Sequence, residues 1–140
     1  MTTLPSQAAP AAERPWALQT YRVLAFLFPP LIVVQALLAG EWLAGHDVIR
    51  VHETLGGLLA VAALVQIGLA AAAGLRRDVR TRVIAVSVLL FVLIVVQYAL
   101  GKGGFGSANQ ARALHLPNGL LVLGLAAYCS TLAENLARRS

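Results

Sequence analysis

Four stretches of this chain contain no Asp, Glu, Lys or Arg: residues 23–40, 54–75, 83–101 and 113–133, of 18, 22, 19 and 21 residues. A helix needs roughly 20 apolar residues to cross about 30 Å of hydrocarbon, and in lipid a helix satisfies its own backbone hydrogen bonds. The pattern therefore predicts an all-α transmembrane four-helix bundle, with spans at about residues 16–40, 49–74, 83–100 and 113–136. Composition agrees with this. Only 12% of the residues are charged, against about 25% in soluble domains, and mean hydropathy is +0.75.

Charge placement predicts topology. The N-terminal segment, the segment between the second and third spans, and the C-terminus hold Arg14, Arg22, Arg76, Arg77, Arg80, Arg82, Arg138 and Arg139. The other two connections hold only Arg50, Lys102 and Arg112. Basic residues stay on the cytoplasmic side, so both termini are expected there, in a multi-pass protein of a cell membrane. The net charge of +5 thus reads as topology and not as affinity for nucleic acid, which is not an expected partner. Membrane lipid is one, and another membrane protein or a second copy of the chain is the other kind. Cys129 is the single cysteine, which excludes an intramolecular disulfide.

Residues 1–15 are rich in Ala, Pro and small polar groups and are expected to form a mobile tail. Trp16 and Tyr21 suit the membrane interface. Pro29-Pro30 falls near the middle of the first span, where a fixed bend is expected. Residues 75–82 read as a basic loop and 102–110 as a glycine-rich connector, in which a side chain at Gly103 is expected to be nearly silent.

Within this frame a polar pattern occurs twice. Gln35 is followed by His52 and Gly56, and Gln97 by His115 and Gly119. The expected arrangement is an internal repeat of two helical hairpins about an axis along the membrane normal, with the second and fourth spans parallel and the histidines at similar depth. At helical spacing His52, Gly56, Leu59, Ala63, Gln66 and Ala70 share one face, as do His115, Gly119, Val122, Ala126 and Cys129. Two facing imidazoles have the chemistry of axial ligands to one b-type haem iron, and the glycines leave room beside them. Arg50 and Arg112 then stand near the haem propionates. A metal ion or a quinone is a further occupant of such a site. The other reading is structural: the histidines hydrogen-bond to neighbouring helices, the glycines serve close packing, the arginines lie at the interface, and the chain is a cofactor-free accessory subunit. Pro117 fits best in a first helical turn, which would put His115 ahead of the regular helix. Gln35 and Gln97 are expected either to tie the hairpins together across the bundle or to orient the imidazoles. No nucleophile–base pair, His-Glu-x-x-His motif or P-loop appears, so no catalytic residue is assigned.

Gln35 with His52-x-x-x-Gly56, and Gln97 with the run Ala113-Leu114-His115-Leu116-Pro117-Asn118-Gly119-Leu120-Leu121, resemble a family of small four-helix bacterial membrane proteins over about residues 20–135. That resemblance implies a bacterial inner-membrane location and no particular activity. More distantly, the arrangement is similar to one four-helix half of haem A synthase, which implies His52 and His115 as haem ligands. The family's second helix carries Glu three residues before its histidine and Arg directly after it; here those positions are Ile49 and Glu53. The catalytic carboxylate is missing, and synthase activity is not implied.

Overall fold

The computed structural model describes residues 15–103 and 107–138, apart from the side chains of Ala108 and Arg112. They form four α-helices: α1 Pro15–Leu43, α2 Ile49–Ala72, α3 Arg77–Gly101 and α4 Ala108–Ala137. All four are long and apolar enough to cross a membrane. Each packs on its neighbours in the chain and α4 closes the ring on α1, so α1/α3 and α2/α4 are the two diagonals. The expected tail lies outside the described residues except for Pro15, which opens α1 at the position where a missing N–H costs nothing.

Two helices, α3 and α4, begin well ahead of the sequence expectation. The basic segment is not a loop: Arg77, Arg80 and Arg82 lie on α3, which begins at Arg77, and Gly74 makes the short turn before it at φ 69°. The connector after α3 ends at Ser107 and not at 110. The Ser107 side chain accepts from the Gln110 backbone N–H while the Gln110 side chain accepts from the Ser107 backbone N–H, a capping box that starts α4 at Ala108. His115 and Pro117 are therefore both inside α4. Gly103 also departs from expectation: its φ of 75° strains any L side chain, so a substitution there acts on the backbone even in open space.

α1 runs unbroken through Pro29 and Pro30. A proline at 29 has no N–H for the Ala25 carbonyl one turn back. That carbonyl finds a donor on the next helix: the Ser130 hydroxyl of α4 lies 2.7 Å from it. One side chain thus satisfies the orphaned acceptor and fixes α1 against α4.

The interior is apolar but rich in small residues, with Gln66, Ser87 and Asn118 as its buried polar side chains among the described residues, and the exterior carries many large apolar ones. Ala17, Ala25, Ala63, Ala70, Ala126 and Ala133 are buried, whereas Leu37, Leu58, Val61, Leu116, Leu120 and Leu121 are exposed. In water this arrangement would leave a very large apolar surface uncovered; small interior residues let helix backbones approach closely. The Tyr21 hydroxyl does not meet water as an interfacial tyrosine would. The side chain is fully buried, in a layer to which each helix contributes one residue: Tyr21, Gln66, Ser87 and Cys129. Gln66 Nε2 stands 3.5 Å from Ser87 Oγ, and the Tyr21 hydroxyl lies beside both without a close hydrogen bond to either. Trp16, by contrast, is exposed as expected.

Candidate functional site: a histidine pair across the bundle

His52 lies in the first turn of α2 and His115 in the second of α4. These helices are diagonal, and among the described residues their backbones make no direct contact. Their imidazoles nevertheless meet. The ring centroids are 6.4 Å apart with planes inclined at 48°. The two faces read from the sequence do point inward: Leu59, Ala63, Gln66 and Ala70 are buried on α2, and Val122, Ala126, Cys129 and Ala133 on α4.

Each imidazole lies beside the preceding helix of its own hairpin, but only His52 is hydrogen-bonded to it. His52 Nδ1 lies 3.1 Å from the Gln35 backbone carbonyl. A carbonyl only accepts, so His52 Nδ1 is the donor in this contact, which in a neutral imidazole leaves the lone pair on Nε2. The Gln35 side chain returns the contact by donating from Nε2 to the His52 carbonyl at 3.0 Å. In the second hairpin the Gln97 backbone lies beside His115, but farther off, and His115 Nδ1 is buried with no close partner. The Gln97 side chain instead accepts from Asn118 Nδ2 at 2.7 Å, and Asn118 also donates to the Leu93 carbonyl at 2.9 Å. Both glutamines thus act within their own hairpins and do not tie the hairpins together across the bundle.

The glycines are explained by these glutamines. A Cβ built on Gly56 would stand 2.9 Å from Gln35 Nε2, and one on Gly119 would stand 3.2 Å from Gln97 Nε2. Gly101 plays a similar part for His115, whose Cε1 would lie 3.3 Å from an added Cβ. The sequence reading did not single out Gly101 as a site residue; its place four residues after Gln97, one turn along the same helix face, was the available signal.

Arg50 is exposed, and a residue two before His52 points roughly 200° away around the helix. The Arg112 side chain lies outside the described residues. Lys102 pairs with Glu53, the residue after His52, at 2.8 Å, linking the end of α3 to the start of α2. The hydrogen bond to Glu53 pushes the Lys102 ammonium above its ordinary pKa. His46, in the α1–α2 connection, pairs with Glu41 and stands apart from the histidine pair.

The donor set limits what this arrangement holds. Among the described residues no group of three or more His, Cys, Asp or Glu is placed to bind a metal ion. Two imidazoles are too few for a closed zinc site, which takes four ligands, but enough for a haem iron, whose macrocycle supplies the rest. A metal–imidazole bond is about 2 Å long. Two such bonds put the ligating nitrogens about 4 Å apart and the ring centroids somewhat farther out, the scale of the 6.4 Å separation. The chain matches no family model, no curated protein and no solved structure.

Proposed function

We propose that the chain is a four-span integral membrane protein, both termini cytoplasmic, that holds one b-type haem between His52 and His115. The observation that carries the haem reading is the hydrogen bond from His52 Nδ1 to the Gln35 carbonyl. Metal-bound histidines characteristically donate their second ring N–H to such an acceptor, which orients the ring and fixes the tautomer. The buried, unpartnered Nδ1 of His115 beside the Gln97 backbone is the counterpart that a small ring rotation would complete. Bound haem would supply one-electron transfer. The residues of this chain would hold the iron, orient the imidazoles and keep water from the ring edges. On this reading the two hairpins are copies of one unit, each contributing a carbonyl-held histidine. A cofactor-free accessory subunit is the second reading, favoured by the glutamines that already fill the space beside Gly56 and Gly119.

The membrane reading rests on four apolar helices, on the exposed leucines and valines, and on the bias of arginines toward one end. Reporter fusions after residue 138 and within residues 102–107 are expected to report opposite sides of the membrane, the first cytoplasmic. A periplasmic C-terminus would overturn the topology. For the haem, titration of haem into the purified apoprotein is expected to saturate at one equivalent per chain. Featureless, non-saturating uptake would favour the accessory-subunit reading.

A further inference from the structure

At the end of the bundle opposite the histidines, a groove of about 910 Å³ runs along α1 beneath the α2–α3 turn. We infer that this groove binds the phosphate of one anionic phospholipid between Arg22 and Arg76, with an acyl chain lying along Val23, Phe26 and Leu27. The inference rests on the membrane part of the proposed function and is independent of the haem.

Three observations meet there. Arg22 is half-buried, and its Nε is shielded from solvent with no acceptor among the described residues. A buried guanidinium N–H without an acceptor costs free energy, and phosphate oxygens are the acceptors a guanidinium fork fits best. Arg76 lines the same groove from the α2–α3 turn. Its one carboxylate partner among the described residues, Asp78, also lines the groove and stands 3.8 Å away, with both side chains largely exposed. The groove is thus lined by two arginines, Arg22 and Arg76, against that one aspartate, a balance that favours an anion. Finally, the wall beyond Arg22 is apolar and open: Val23, Phe26 and Leu27 are 52%, 48% and 46% exposed. Leu27 lies five residues past Arg22, about 7.5 Å deeper along the helix. A free phosphate or an acidic peptide has no use for that wall, whereas an amphiphile matches both the cations and the apolar track. Basic pockets at the cytoplasmic ends of membrane helices suit such headgroups.

The test is native mass spectrometry of the protein released from nanodiscs of equal parts phosphatidylglycerol and phosphatidylcholine. One phosphatidylglycerol per chain is expected to be retained in preference to phosphatidylcholine. Arg22→Gln and Arg76→Gln are each expected to reduce that preference about fivefold, as loss of one basic residue near a lipid headgroup implies. Arg138→Gln, at the same end but paired with Glu134, is expected to leave it unchanged. Arg76 is exposed, so its variant reports on the groove even if Arg22→Gln impairs folding. Equal retention of the two lipids would overturn the inference. So would an unchanged preference in the double variant, or a second chain seated in the groove in place of lipid. A chain that does not enter nanodiscs at all would contradict the membrane reading instead.

Discussion

Replacing either His52 or His115 with Ala is expected to abolish the sharp visible bands of a six-coordinate b-type haem, or to leave a five-coordinate spectrum. On the proposed reading each imidazole would supply one bond to the iron, and among the described residues no third His, Cys, Asp or Glu is grouped with the pair to replace it. The two variants are not expected to be equivalent. His52 is anchored through the Gln35 carbonyl, so its loss also removes a contact between α1 and α2. His115 lacks a close partner at Nδ1, and its loss removes a ligand with little cost to the hairpin. His115→Ala is therefore expected to retain the thermal stability of the haem-free protein more closely than His52→Ala. His46→Ala, whose ring pairs with Glu41 outside the bundle, is expected to leave the spectrum unchanged. A spectrum unaffected by His52→Ala and His115→Ala would place the haem elsewhere.

The second large effect is on packing. Gly56→Leu is expected to destabilise the bundle by about 1–3 kcal/mol, the usual range for overpacking, and Gly119→Leu somewhat less. The order follows from the contacts. A Cβ at Gly56 would come within 2.9 Å of Gln35 Nε2, against 3.2 Å to Gln97 Nε2 at Gly119. Displacing Gln35 also breaks its bond to the His52 carbonyl, so this variant disturbs the histidine as well as the helix contact. The proper control is Gly57, on the same helix, where an added Cβ meets nothing within 4 Å; Gly57→Ala is expected to be neutral or slightly stabilising, since alanine favours a helix over glycine. Gly103 does not serve as a control because its positive φ resists a side chain. Thermal unfolding in detergent measures all three variants. Equal midpoints for Gly56→Leu, Gly119→Leu and Gly57→Ala would mean that the glutamine–glycine contacts contribute nothing.

Much of this architecture was readable from one dimension. The uncharged windows gave four helices because each is long enough for a membrane-crossing helix, although α3 and α4 begin ahead of their windows, and the stripes on α2 and α4 faced inward as helical spacing requires. Two departures had legible signals. Tyr21 falls in the series Ala17, Tyr21, Ala25, Phe28 and Ile32, all buried on one face of α1; its periodicity outweighed the preference of tyrosine for an interface. Ser107-Ala108-Asn109-Gln110 has the spacing of a capping box, and so marked the start of α4 ahead of the apolar window. Other features needed the third dimension. Nothing in sequence pairs Ser130 with the carbonyl left open by Pro29, because the two are joined only where α4 closes on α1. The glutamines recur at matching places, yet only the structure separates their roles: Gln35 uses both backbone and side chain on His52, whereas the Gln97 side chain is taken by Asn118. The placement of Arg50 also needed the third dimension: it is two residues from His52 along α2 but exposed, since proximity along a helix is not proximity around it.

The reduced-minus-oxidised visible spectrum of the protein purified from haem-replete cells tests the histidine-pair account most directly. The account predicts the narrow bands of a low-spin, six-coordinate b-type haem at one haem per chain, with both imidazoles on the iron. Protein that carries no haem absorption from such cells, and takes up none when haem is added, would contradict it.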